Sequence, residues 1–503
     1  MVRVRYAPSP TGSPHVGNIR TALFNYLMAR KHGGVFIVRI EDTDQTRQVD
    51  DALDDILESL RWLGITWDEG PEVEGPYAPY FQSQRLKIYK QVCEELIKKG
   101  SAYRCFCTPE DLEKMREYQR INKLPQMYDR RCRKKTVNEA GNLVSKGIPY
   151  VIRLAMPLEG KIVFEDAIRG RVEYESSLVD DQVLLKSDGW PTYHLANVVD
   201  DYLMKVSHVI RGEEWISSTP KHVVLYDAMG WEKPTFVHAP VIKGPDGAKL
   251  SKRHGDTRCL DYREKGYLSE AVANFIALIG WSPGGDRELM TLKEMEDLFS
   301  IEGIQPSAGV FDITKLQWMN GHYIRQLTPE KLYETVKEFH EKTKDEDYRK
   351  LQSQEILTKA FEKYPKEYLV RAFVLEQERV KLLSEFADAC LFFFVDEVEI
   401  DKQAGEKWLS ADYVPQLLDV LMEQCEKQQD LNHDVCESMI SVAVEKLGLE
   451  KRSMAIHPTR VALTGRTFGP SLFDLMALLG VEQMKKRFAK AKLFAESLLS
   501  KSS

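Results

Sequence analysis
The first forty residues leave few folds open, because they read as one β-α-β unit. Residues 2–6 alternate as a strand, and residues 7–14 form a Pro/Gly/Ser loop. Ser13-Pro14 sits where a helix cap and first helical residue belong. Ile19, Leu23, Tyr26 and Leu27 recur at helical spacing over residues 19–31, and Gly33-Gly34 ends that helix. Residues 35–40 are rich in β-formers and carry Glu41-Asp42 at their C-terminal end. Ligands of open α/β sheets bind where strands end, so both loops are expected to face one crevice.

At 503 residues the chain calls for two to four domains. Helical patterns follow over 49–62 and 86–99, and residues 103–185 change character, with a cysteine cluster, basic runs and a strand at 150–154. That stretch reads as an insertion. A mixed α/β pattern returns over 183–252, and beyond about residue 325 the chain becomes almost wholly helical, with a terminal SLLSKSS expected to fray. No run of about 18 apolar residues occurs, which speaks against a membrane span. The N-terminus lacks the layout of a signal or transit peptide, so a cytoplasmic protein is expected. Eight scattered cysteines do not suggest a disulfide framework. The net charge of −7 is not that of a small nucleic-acid module, yet basic runs stand at Arg130, Arg131, Arg133, Lys134 and Lys135 and at Lys485, Lys486 and Arg487. Taken alone, such runs read as solvated surface.

Two segments carry chemistry. In Pro8-Ser9-Pro10-Thr11-Gly12-Ser13-Pro14-His15-Val16-Gly17-Asn18, a tight loop feeds a helix start, whose unpaired backbone N–H groups and positive dipole end suit a polyphosphate. His15 can donate to a phosphate oxygen, and Gly17 leaves room for a flat base. In Lys249-Leu250-Ser251-Lys252-Arg253, preceded by Gly244-Pro245-Asp246-Gly247, cations and a hydroxyl on a flexible loop can close over growing negative charge. Either segment alone is weak: a helix start or an exposed basic loop.

Together they match, in order and type, the paired HIGH and KMSKS signatures of class I aminoacyl-tRNA synthetases. With RYAPSPTG, FIVRIEDTD, KSDGWPTYHLANVVDD, VIRGEEW and KLSKR, the chain resembles bacterial-type glutamyl-tRNA synthetases, without a break to about Met319-Asn320-Gly321 and more loosely beyond. The resemblance implies a Rossmann-like α/β catalytic domain in two halves, 1–104 and 186–255. It implies an inserted α+β acceptor-stem-binding domain at 105–185, a helical junction at 256–325 and an all-α anticodon-binding domain at 326–503. It also implies ATP with Mg2+, L-glutamate and tRNA(Glu) as substrates, and a monomer.

Glutamate carries two carboxylates and one ammonium, so a selective pocket needs two cationic clamps and an anion. By resemblance Arg5 and Arg211 are the clamps. Glu41, helped by Ser9, takes the ammonium, and Tyr193 and Asn197, four apart on one helical face, add neutral hydrogen bonds. Pro8, Gly17, Asn18, Glu214, Trp215, Ser251 and Lys252 border ATP, although Asn18 departs from the second histidine of the signature. His15, Lys249 and Lys252 stabilise the transition state. Chain length sets aside the short glutamyl-queuosine enzymes, the helical third sets aside glutaminyl relatives with β-barrels, and the intact signatures set aside a silent RNA-binding paralogue.

Cys105, Cys107 and Cys132 with Tyr128 offer three thiolates and a phenolate. Spacing alone leaves buried thiols and a metal site equally open. Some family members hold zinc at this Cys-x-Cys…Tyr-x3-Cys pattern, which implies one structural Zn2+; Lys134 stands where others place a histidine. Arg379 is aligned by the resemblance with a helical arginine that reads the anticodon.

Overall fold
The fold is that of a computed structural model describing residues 1–44, 46, 49, 51–251, 253 and 258–502, the last two by backbone alone. The chain divides into two compact units, Met1–Asp261 with Val272–Ile313, and Tyr262–Ala271 with Thr314–Ser503.

In the first unit β1 (Arg3–Tyr6) and β2 (Val35–Val38) pair in parallel, Arg3 opposite Val35 and Tyr6 opposite Val38, joined by α1 (Val16–Lys31). The expected β-α-β unit is present, but its helix is capped by His15 rather than Ser13. His15 holds an extended backbone and its Nδ1 accepts the Gly17 N–H at 3.1 Å, whereas Ser13 Oγ turns to Asp55. Gly33 has φ 55° and Gly34 N–H bonds back to Ala29 O, closing the helix as read. A Cβ at Gly34 would stand 2.3 Å from Val2 O, so only glycine permits this entry into β2.

Next come α2 (Ala52–Trp62), α3 (Leu86–Lys98), β3 (Ala102–Cys105), α4 (Pro109–Ile121), α5 (Val137–Ser145) and β4 (Val151–Leu154). The helix expected from 49 begins only at Ala52, after Asp51 in a left-handed conformation. They lead to β5 (Lys161–Asp166), β6 (Gly170–Glu175), β7 (Val183–Leu185), α6 (Tyr193–Leu203), β8 (His208–Gly212), α7 (Thr219–Met229) and β9 (Thr235–Ala239). Strands β3, β4 and β7 form one antiparallel sheet, while a second runs β6-β5-β9-β8 with β8 and β9 parallel. The segment read as an insertion is thus tied into its surroundings: the β5–β6 hairpin meets β9 where Asp166 pairs with Phe236. Strands β1 and β8 meet through Ser207, whose N–H donates to Arg3 O at 2.9 Å while its Oγ accepts the Arg3 N–H at 2.8 Å. Their C-terminal ends, at Tyr6 and at Arg211-Gly212, line one crevice.

The second unit is helical, as expected. Its final helix, Val481–Ser502, lays the fully buried stripe Phe488, Ala491 and Ala495 on the helix Val414–Glu426, which offers Leu417, Leu418 and Leu421. Of the residues expected to fray, 497–502 continue this helix. Residues 262–271 are stitched in by Leu383 N–H donating to Gly266 O and by Leu268 N–H donating to Asn320 Oδ1. No helix among the described residues is long and apolar enough to cross a membrane.

Candidate active site
A cavity of about 570 Å³ opens between the ends of β1 and β8. Its lining includes Arg5, Pro8, Ser9, His15, Gly17, Asn18, Glu41, Tyr193, Asn197, Arg211, Glu214, Trp215 and Lys249. All of these were singled out from sequence. Ser251 is not among the lining residues, and Lys252 lies outside the described residues.

On one wall sits a buried charge network. Arg5 donates through Nε and Nη2 to Asp201 at 3.0 and 3.3 Å. Arg39, fully buried, donates to Asp201 Oδ1 at 2.7 Å and to Glu41 Oε1 at 3.1 Å, and Asn197 Nδ2 adds a bond to Glu41 Oε1 at 3.3 Å. Asp200, one residue earlier on α6, receives Arg85 Nε, Gln82 Nε2 and Tyr89 Oη at 2.7 to 2.9 Å. Burial raises the Glu41 carboxyl pKa, opposed by Arg39 and Arg5. Pairing each buried ion offsets a desolvation cost of several kcal/mol, on the order of that measured for isolated buried charges.

The opposite wall carries Arg211, also buried, held by neutral groups. Its Nε donates to His238 Nε2 at 3.0 Å, Nη1 to Tyr193 Oη at 3.0 Å and Nη2 to Thr219 Oγ1 at 3.0 Å. His222 Nδ1 lies 3.3 Å from both Nη atoms. Trp215 packs against Tyr193 with ring centres 4.3 Å apart and planes tilted by 34°.

At the α1 end, His15 caps its own helix, so the Gly17 N–H expected to be unpaired is already bonded. The Asn18 N–H likewise bonds to His15 O at 2.9 Å. Burial and the nearby Lys249 lower the His15 pKa, so the ring is neutral near pH 7 with its proton on Nε2, a donor toward an incoming group. A Cβ at Gly17 would stand 3.0 Å from His15 Cε1, so the space left by glycine is taken partly by that ring. Lys249 lies 4.0 Å from Glu214, and its loop is pinned where Leu250 N–H donates to Ile242 O and Gly244 N–H to Ala248 O.

Cys105 at the end of β3, Cys107, and Cys132 in the 3₁₀ turn Arg131–Lys134 bring their thiols within 4.8 Å of one another. Tyr128 Oη is 3.2 Å from Cys105 Sγ and 3.4 Å from Cys107 Sγ, and Cys107 Sγ is 3.6 Å from Cys132 Sγ. Sulfurs on a tetrahedral zinc stand about 3.8 Å apart, given Zn–S of about 2.3 Å, so the cluster fits that ion. Hydrogen bonding, foremost from Cys132, lowers the Cys105 thiol pKa against its burial, whereas that same bond raises Cys132 and burial raises Cys107.

Arg379 is exposed and lies not in a helix but in the turn after the helix Lys366–Glu376, its Nη1 donating to Leu375 O at 3.0 Å. That helix ends three residues earlier, which corrects the helical setting read for Arg379.

Sequence reasoning missed Asp201, His222 and His238, which bond Arg5 or Arg211, Arg39 and Asp166, which stand one partner further back, and Lys186, which lines the cavity. A signal existed for two of them. Arg39 shares strand parity with Glu41, and Asp200-Asp201 places two carboxylates on an otherwise apolar helical face.

Two family models match the chain: tRNA synthetases class I (E and Q), catalytic domain, over residues 1–318, and an anticodon binding domain over residues 331–492. Glutamate–tRNA ligase 2 of Caldicellulosiruptor saccharolyticus is 43% identical over 490 residues, covering 97% of this chain and 98% of the relative. The glutamate–tRNA ligase of Clostridioides difficile is 42% identical over 501 residues, covering 98% and 99%. Among solved structures, a glutamate tRNA ligase from Elizabethkingia meningosepticum, described as in complex with its amino acid, superposes with a TM-score of 0.89. It is 35% identical and covers 98% of this chain and 99% of that one.

Proposed function
The chain belongs to the glutamate–tRNA ligases among the class I aminoacyl-tRNA synthetases, and from that membership we propose how its pocket divides the work. Arg5 and Arg211 clamp the two carboxylates of L-glutamate. Glu41 and Ser9 receive the ammonium, and Tyr193 and Asn197 add neutral hydrogen bonds. ATP lies against Pro8, Gly17, Asn18, Glu214 and Trp215, with Ser251 and Lys252 brought over it by their loop. Magnesium arrives with the nucleotide and needs no protein cage.

Two in-line steps follow. A glutamate α-carboxylate oxygen attacks the α-phosphorus of ATP, pyrophosphate leaves, and glutamyl-adenylate forms. The terminal ribose hydroxyl of tRNA(Glu) then attacks the adenylate carbonyl, and AMP leaves. His15 donates through Nε2, and Lys249 and Lys252 supply charge as it grows on the phosphates. The observation supporting this reading is that one cavity is lined by two arginines, Arg5 and Arg211, by the carboxylate of Glu41, and by His15 and Lys249. Glutamine lacks the second anion, and a site built for a carboxylate rejects it by leaving cations mispaired.

Around this core, residues 1–104 and 186–255 make the two catalytic halves and 256–325 the junction. Residues 105–185 receive the acceptor stem, steadied by a zinc ion on Cys105, Cys107, Cys132 and Tyr128 that takes no part in the chemistry. Residues 326–503 bind the anticodon, where Arg379 reads a base. The enzyme works as a monomer in the cytoplasm.

ATP–pyrophosphate exchange with each amino acid, with and without tRNA, tests the reading. Exchange is expected with glutamate in the presence of tRNA; exchange with glutamine, or with no amino acid at all, overturns it.

A further inference from the structure
Arg5 and Arg211 reach one cavity in different electrical company. Arg5 is paired directly with Asp201, whereas no carboxylate among the described residues pairs with Arg211. For His238 Nε2 to accept from Arg211 Nε, the ring proton must sit on Nδ1. Nδ1 lies 2.6 Å from Asp166 Oδ2, and both groups are fully buried. Asp166 is itself fixed at the β5–β6 turn, accepting the N–H groups of Ile168 and Arg169 at 3.0 Å and of His238 at 3.2 Å. The other flank repeats the logic. His222 Nδ1 faces the guanidinium, so His222 Nε2–H is directed to His194 Nδ1 at 3.2 Å. Burial lowers the pKa of both His222 and His238, so the shell stays neutral. Burial would raise the Asp166 carboxyl, yet its hydrogen bond from His238 holds it below the usual range.

We propose that Asp166 and His238 are positioning residues for Arg211. The carboxylate fixes the imidazole tautomer that accepts the Arg211 Nε–H, and it keeps the countercharge one ring away from the guanidinium edge that a substrate carboxylate takes over. The inference rests on the reading of Arg211 as a glutamate clamp. A carboxylate bonds a guanidinium more strongly than neutral acceptors do, so arriving glutamate displaces Tyr193 or His222 from that edge without competing against a resident anion. A direct ion pair would have made the exchange one carboxylate for another.

The test uses the full chain with tRNA and ATP–pyrophosphate exchange, reading KM for glutamate and KM for ATP separately. His238→Leu removes the acceptor and should raise the glutamate KM about 10- to 100-fold, the effect of stranding a buried donor. The ATP KM should stay within about threefold. His238→Gln, which restores an acceptor oxygen near Nε2, should recover most of that loss. Asp166→Asn, which permits the wrong tautomer, should raise the glutamate KM about tenfold. Equal rises in both KM values, or a His238→Gln no better than His238→Leu, overturn the inference. Should His238→Leu fail to fold, Asp166→Asn decides by itself: an unchanged glutamate KM refutes the role. Arg211→Gln separates the two layers. If it raises the glutamate KM while the Asp166 and His238 variants do not, the positioning role alone fails. If it too leaves that KM unchanged, the clamp reading falls and the inference with it.

Discussion
Among the described residues, the first unit buries Arg5, Arg20, Arg39, Arg85, Arg153, Arg211, Glu41, Glu69, Asp166, Asp181, Asp200 and Asp201, whereas the second buries only Glu376 and Arg487 of its charged side chains. The second unit instead fills its interior with Phe373, Phe386, Phe488 and many leucines, and leaves pairs such as Lys359–Glu355 and Lys342–Glu338 on the surface. Burying apolar area stabilises at roughly 25 cal/mol per Å², while burying ions at best breaks even. The contrast separates two tasks. The first unit accepts desolvated charge because a pocket for a small zwitterion needs fixed cations and anions. The second needs only a firm helical surface.

The sharpest way to break this contrast is Asp201→Asn. It removes the countercharge of Arg5 and the nearest of those around Arg39, which keeps Glu41, and should cost about 3–5 kcal/mol in denaturant unfolding of the first unit, together with glutamate-dependent exchange. A loss below about 1 kcal/mol would mean that the network is not what holds this wall. In the second unit the matching probe is Phe373→Ala, which empties a fully buried ring site and should cost about 3–4 kcal/mol in the same measurement.

Glu376 breaks the pattern from within. It is buried, its Oε1 finds no hydrogen-bond partner among the described residues, and burial pushes its pKa up to about 7 against the pull of Arg379, Arg466 and Arg460. A carboxyl raised on folding supports the fold fully below its unfolded pKa, near 4.5, and that support fades as pH rises through about 7. Glu376→Gln should therefore flatten the pH dependence between those values and stabilise the second unit at pH 8 by roughly 1–2 kcal/mol, discounted for partial solvent screening. Thermal unfolding at pH 5 and pH 8 reads this directly, and equal shifts at both pH values would discard the idea. At the small end, Glu355→Ala should move stability by no more than about 0.5 kcal/mol, since its partner Lys359 is as exposed as it is.

Much of this was legible in the chain itself. Glycine pairs, β-rich runs and helical spacing delimit β1, α1 and β2 to within a few residues, because these local signals agree with the tertiary structure. The cavity lining was legible for a different reason: its residues lie in contiguous motifs that the resemblance to bacterial-type glutamyl-tRNA synthetases picks out. What escaped was the set of buried groups behind Arg5 and Arg211. Arg39, Asp166 and His238 act through distant partners, and no local pattern announces that Asp166 and His238, 72 residues apart, will meet. The cap at His15 escaped because serine before proline is an ordinary helix start, and only the packed structure turns Ser13 toward Asp55.

The β5–β6 hairpin bears on how such a chain could be re-engineered or could diverge. Its turn contributes the anion behind Arg211, yet it belongs to the stretch that reads as an accessory. On the role proposed for Asp166, transplanting that stretch from a cousin would also replace the group that orients His238 against Arg211, so such a graft would reach into the cavity wall.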